Sequence, residues 1–141
     1  MISKAGNVYP LIFHAIDTTD MTELTRKRCK PCEGGIKPLT KSEAEGLLSQ
    51  LQDWNLNETA TEINRTYKFN NYYETMAFVN AVAWMTHLED HHPDLEVSYS
   101  RCVVRYSTHA IKGLSENDFI CAAKVDALQA PPETSAPTCE L

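Results

Sequence analysis

The stretch Asn71–Pro93, NYYETMAFVNAVAWMTHLEDHHP, separates two segments of alternating polarity and so decides the architecture. Asn71 followed three positions later by Glu74 has the form of a helix start, a short polar cap with a carboxylate one turn on. Met76, Val79 and Ala83, with Tyr72 and Tyr73 at one end and Trp84 further on, supply a broad apolar stripe. Pro93 stops the helix, because a proline disfavours helical conformation in the residue before it. The spacing predicts a helix over about 71–90.

Working outward, Trp54 and Leu56, then Ile63, Arg65, Tyr67 and Phe69, alternate with polar residues, the signature of strands with one buried face. They predict a hairpin turning near Asn57 to Ala60. Val97 and Tyr99, then Cys102, Val104 and Tyr106, predict a second hairpin, with Arg101, Val103, Arg105, Ser107 and His109 on the opposite face of its last strand. Thr40-Lys-Ser-Glu43 has the form of a capping box, and Ala44, Leu47, Leu48 and Leu51 follow at helical spacing, so a first helix is expected over about 41–52. Ser115-Glu-Asn-Asp118 opens a third helix through Phe119, Ile120, Ala123 and Leu128. The order α-β-β-α-β-β-α implies an α+β fold, a four-stranded antiparallel sheet with its helices packed on one face. The open sheet face and an unpaired edge favour assembly with other copies.

The chain has 141 residues, the size of one domain with a modest core. Residues 1–38 read as an irregular N-terminal extension, 39–130 as the folded domain and 131–141 as a disordered tail carrying Pro131, Pro132 and Pro137. The apolar patch Tyr9–Phe13 has no basic leader or small-residue cleavage site, so no secretory signal is expected, and Met21 is an alternative start. A net charge of −6 gives no basic stripe for nucleic acid, and the short run Arg26-Lys27-Arg28 reads as a solvated segment. No apolar run approaches the ~20 residues of a membrane span. The five cysteines Cys29, Cys32, Cys102, Cys121 and Cys139 are an odd number, which fits reduced thiols in a cytoplasmic protein.

His87, His91, His92 and His109 are four of the five histidines. Imidazole both gives and takes protons near neutral pH, so the cluster points to proton transfer or to a metal. His87 and His91 are neighbours on one helix face, and His91 and His92 stand where the helix ends. His109 lies at the end of a strand; if that end meets the helix end, three imidazoles converge, with Asp118 placed to fix a tautomer. Such a set suits a reaction that adds one proton to a leaving group and removes another nearby, at ~10²–10⁴-fold per positioned group. There is no nucleophilic serine or cysteine signature and no glycine-rich phosphate loop.

The stretch Asp90-His91-His92-Pro93, the strand aromatic Tyr99, Ser107-Thr108-His109 and Gly113-Leu114-Ser115-Glu116-x-Asp118 resembles the pterin-4a-carbinolamine dehydratase family. The resemblance runs from about Leu39 to Leu128, and the lead-in Cys29-x-x-Cys32-Glu-Gly-Gly looks like that of bacterial-type members. It implies dehydration of 4a-hydroxytetrahydropterin to the quinonoid dihydropterin, without metal or other cofactor, in recycling after an aromatic amino-acid hydroxylase. It implies His91, His92 and His109 as the catalytic group, with His92 or His109 the acid at the hydroxyl and His91 the base. Asp90, Ser107, Thr108 and Ala110 would hold the pterin, partly through main chain, and Asp118 would support the cluster. It also implies a homodimer or homotetramer. This chain departs from the pattern at His87, where many members carry a glutamate, and at Leu95, where the animal enzyme has a tryptophan.

Simpler roles exist for the same residues. A histidine at a helix C-terminus interacts favourably with the helix dipole, which would suffice for His92, and Asp118 stands where a capping-box carboxylate belongs. A zinc-stabilised binding module would pair Cys29 and Cys32 with His87 and His91, although far more sequence separates those pairs than a compact finger needs. Animal members of the family also bind a homeodomain transcription factor; an acidic chain with bacterial-type features gives no reason to expect such an adaptor role here.

Overall fold

The computed structural model describes residues 22–32 and 35–129. The N-terminal patch, Met21, Cys139 and the proline-bearing tail lie outside them. Four helices, α1 Glu23–Arg26, α2 Lys41–Leu48, α3 Tyr72–Glu89 and α4 Glu116–Ala127, accompany four strands, β1 Asn55–Leu56, β2 Ile63–Lys68, β3 Asp94–Val97 and β4 Arg101–Tyr106. The strands form one antiparallel sheet in the order β1-β2-β4-β3, so the two hairpins join through β2 and β4. This is the α+β architecture expected from the sequence.

Alternation sets the two faces. Ile63, Tyr67, Cys102, Val104 and Tyr106 are buried toward the helices, and Arg65 on the same face bonds Asp126 of α4 at 2.8 Å. Trp54 Nε1 and the Tyr67 hydroxyl donate to the same Asp126 carboxylate, which ties the first hairpin to α4. On the far face Arg101 and Arg105 each donate to Glu96 at 2.9 Å across the β3–β4 pair. The first turn falls where expected: the Asn57 side chain accepts from the Thr61 and Glu62 N–H groups, and Ala60 takes φ 54°.

Helix α2 stops at Leu48, earlier than the expected 52, and Ser49–Leu51 continue as turns. Its capping box is present, with Thr40 and Glu43 exchanging bonds. The larger difference lies in α3. Its core-facing residues are Thr75, Phe78, Val82, Thr86 and Glu89, whereas Tyr72, Tyr73, Ala83 and Trp84 of the expected stripe face outward. The helix is apolar nearly all round, so hydrophobicity does not choose the buried side. Polar residues occupy that side because each has a partner: Thr75 Oγ1 reaches the carbonyls of Asn71 and Tyr99, both at 3.0 Å, and Glu89 pairs with Lys124.

Strand β3 begins directly after Pro93 and ends at Val97, leaving Tyr99 exposed in the turn instead of in the strand. Beyond Tyr106 the chain leaves the sheet, so His109 sits on a single 3-10 turn, His109–Ile111, and not at a strand end. An isolated bridge pairs Thr108 with Gly113 around this loop. In the segment read as an irregular extension, α1 packs on α4 with Leu24 only 1% exposed.

Candidate active site

Four chain segments meet at one end of the sheet: the end of α3, the start of β3, the loop after β4 and the start of α4. Asp90 ends α3 in the left-handed region at φ 51°, and both its N–H and that of His91 point back to the Thr86 carbonyl. A non-glycine residue accepts this conformation at a cost, aspartate more readily than most. The tight turn swings His91 inward, onto α4. Its ring lies parallel to that of the fully buried Tyr106, centroids 5.8 Å apart at 10°.

Asp118 completes the support. Its carboxylate is fully buried, and its two oxygens have different partners. Oδ1 lies 2.7 Å from His91 Nε2. Oδ2 accepts from the Ser115 N–H at 2.9 Å, the capping-box bond, and from Thr108 Oγ1 at 2.7 Å. The Ser115 hydroxyl lies 2.7 Å from Thr108 Oγ1 and donates to it, because that oxygen spends its own proton on Asp118. Capping and support of the imidazole therefore coexist in one side chain. A neutral His91 held this way carries its proton on Nε2 and offers the Nδ1 lone pair.

A shallow hollow of about 210 Å³ opens over this corner, walled by Ala83, Thr86, His87, Asp90, His91 and His92. His91 is nearly covered, with 12% of its side chain exposed, whereas His92 and His87 are exposed. The His87 ring tilts against exposed Trp84, centroids 5.5 Å apart. His109 is not part of this wall; it is exposed, with Nε2 3.8 Å from Asp94 Oδ2. Ser107 is half-buried and Ala110 exposed, while Thr108 is buried with its hydroxyl turned to Asp118. The Thr108 main chain is engaged as well, its N–H donating to the Gly113 carbonyl at 2.8 Å and its carbonyl accepting from the Ile111 N–H at 3.2 Å. A larger hollow of about 380 Å³, walled in part by Thr25, Met85 and Leu88, holds none of the histidines.

The zinc arrangement is not assembled. Cys29 packs against Cys121, and Cys32 accepts from Asn117 Nδ2 at 3.1 Å. Among the described residues no group of three or more His, Cys, Asp or Glu side chains is placed to hold a metal ion. Sequence reasoning missed Tyr106 as a wall for the imidazole; its alternation with Cys102 and Val104 marked it as buried and could have placed it against the helix end.

Comparison with known proteins bears on the same corner. The family model described as pterin 4 alpha carbinolamine dehydratase matches residues 37–128, which include every one of these site residues. The chain belongs to that family. By membership it is a pterin dehydratase, a hydro-lyase. Proteins provisionally named pterin-4-alpha-carbinolamine dehydratase match it closely: one from Nitrosomonas eutropha is 63% identical over 111 residues, covering 78% of this chain and 96% of the relative. Another, from Stenotrophomonas maltophilia, is 53% identical over 109 residues, covering 77% and 94%. A crystal structure titled transcriptional coactivator/pterin dehydratase, from Brucella melitensis, superposes with a TM-score of 0.63 at 30% identity, covering 67% of this chain and all of that one. Among the described residues no helix of this pterin dehydratase is long and apolar enough to cross a membrane.

Proposed function

We propose that this chain dehydrates 4a-hydroxytetrahydropterin to the quinonoid dihydropterin by histidine acid–base catalysis. The observation that carries the reading is the clamp on His91, whose Nε2 is tied to a buried carboxylate and whose ring is stacked on Tyr106 beside an open hollow. The elimination needs two proton transfers. The C4a–O bond breaks as an acid protonates the hydroxyl, which leaves as water. The adjacent ring N–H gives its proton to a base, and its electrons form the new C=N bond. His91 Nδ1 is the base in this reading, because Asp118 occupies the other nitrogen. His92 or His109 is the acid; both are exposed and free to meet the hydroxyl.

Asp90, Ser107, Thr108, His109 and Ala110 form the edge that holds the pterin, and Asp118 is a positioning residue. Leu95 is half-buried and offers aliphatic packing. His87 stands where its side chain adds a polar contact at the rim of the hollow. The product feeds the reductive recycling of a tetrahydrobiopterin-type cofactor after an aromatic amino-acid hydroxylase, in the cytoplasm. The exposed residues Tyr73, Trp84 and Leu88 along α3, at 83%, 64% and 55% exposure, favour a homodimer or homotetramer, read out by sedimentation.

The test is the rate of dehydration of enzymatically generated 4a-hydroxytetrahydropterin, followed by absorbance. The expected result is acceleration well above buffer that His91→Ala and His109→Ala each reduce at least ~100-fold. A wild-type rate equal to buffer, or full activity in both variants, sinks the reading.

A further inference from the structure

Residues 27–32 lie as a strap across the end of α3 and the first turns of α4. The Cys29 N–H donates to Glu89 Oε2 at 3.0 Å. Asn117 grips Lys30 from both sides, accepting from its N–H at 3.0 Å and donating to its carbonyl at 2.6 Å. Lys27 pairs with Glu116 at 2.6 Å. These contacts bring Cys29 Sγ to 3.5 Å from Cys121 Sγ, across 92 residues of chain. Cys121 is completely buried, and Cys29 is half-buried. Cys121 follows Asp118 by one helical turn, and its sulfur lies 3.7 Å from the His91 carbonyl. The dehydration chemistry uses neither thiol, since neither lines the hollow.

We propose that Cys29 and Cys121 form a redox site, which hydrogen peroxide converts to a disulfide stapling the strap to α4 one turn beyond Asp118. The hydrogen bond to Cys29 and burial push the Cys121 thiol up, which leaves Cys29 as the sulfur that meets the oxidant. Cys29 attacks one peroxide oxygen; the O–O bond breaks, giving a sulfenic acid on Cys29 and one water. The Cys121 sulfur then attacks the Cys29 sulfur; the S–O bond breaks and a second water leaves with the Cys121 proton. Two thiols lose two electrons and two protons, and one peroxide becomes two waters. The sulfurs close from 3.5 Å to about 2.05 Å, a movement the strap supplies. This inference stands apart from the dehydratase reading.

The test treats the reduced full-length chain with hydrogen peroxide, alkylates residual thiols and maps peptides without reduction. The expected product is a Cys29–Cys121 crosslink, two hydrogens lighter than the reduced chain and reversed by dithiothreitol. It persists in Cys32→Ser and Cys139→Ser and is absent in Cys29→Ser and Cys121→Ala. Closing so long a loop raises Tm by ~10 °C in the oxidised chain, and Cys29→Ser removes the rise. Cys29 is not fully buried, so Cys29→Ser keeps the test readable if Cys121→Ala does not fold. A Cys29–Cys32 or Cys29–Cys139 crosslink, both thiols remaining alkylatable, or an oxidised chain no more stable than the reduced one overturns the proposal.

Discussion

His91 and Asp118, 27 residues apart, are joined by a 2.7 Å contact between Nε2 and Oδ1 while the other carboxylate oxygen caps α4. The orientation of that carboxylate is fixed from the far side, because Thr108 Oγ1 and the Ser115 N–H both need an acceptor at Oδ2.

Asp118→Asn follows directly. The two donors hold the amide carbonyl at the Oδ2 position, so the NH2 group faces His91 and donates to Nε2. The imidazole is driven to the other tautomer, with its proton on Nδ1, where the proposed base needs a lone pair. The expected outcome is a kcat lower by ~10² or more with KM changed less than about threefold. Steady-state kinetics on the purified variant check it, and an unaltered kcat removes the tautomer from the mechanism.

His109→Ala and His91→Ala should separate activity from stability. His109 has 68% of its side chain exposed, with Nε2 3.8 Å from Asp94 Oδ2, so its loss costs under ~0.5 kcal/mol of folding free energy while dehydration falls. His91→Ala leaves the buried Asp118 without its Oδ1 partner and vacates the stack on Tyr106, at ~2–4 kcal/mol. Urea unfolding of the two variants reads the difference; equal destabilisation contradicts it.

Gly113→Ala tests the loop that carries His109. A Cβ at Gly113 would lie 2.7 Å from the Pro38 Cβ, part of a rigid ring, while Gly113 bonds Thr108 and Leu114 bonds Leu39 on either side. Loop or lead-in must move, at ~1–3 kcal/mol, and dehydration should fall as Thr108 and His109 shift. Thermal unfolding beside the activity assay decides it; wild-type behaviour in both shows that the contact yields without cost.

Glu89 gives the fold an acid limit. Burial works to raise its carboxyl, but the Cys29 N–H, Lys124 and Arg28 outweigh that and hold it below the ordinary value of 4.5. A carboxylate lowered on folding contributes stability that is complete above its unfolded pKa and is lost as pH falls through the folded one. Glu89→Gln should therefore cost ~2–3 kcal/mol at pH 7, and its gap to wild type should close below about pH 4.5. Unfolding curves across that range test the sign; a gap that widens in acid contradicts it.

Much of this was legible in the sequence because it depends on local pattern. The capping residues Thr40, Asn71 and Ser115 and the alternation around Tyr67 and Val104 each name an element within a few residues. The core side of α3 was not legible. Thr75, Thr86 and Glu89 are tolerated inside only because partners arrive from elsewhere: Thr75 meets the Tyr99 carbonyl, and Glu89 meets Cys29 and Lys124. The site divides the same way. Spacing marked His91, His92, His109 and Asp118, but not that the carboxylate would select His91 and leave His109 to Asp94. Nor does any local pattern reveal that the lead-in delivers Cys29 to Cys121.

Asp90 marks where heat resistance and the proposed ligand contact pull apart. At φ 51° its backbone adopts the shape that glycine takes freely and a side chain resists, at the one residue between α3 and the clamped imidazole. The helix end thus keeps a carboxyl at the rim of the hollow where relief of strain alone would select glycine. Efforts to harden this protein by relaxing its backbone should meet their first loss of turnover at this turn, while the core remains free to improve.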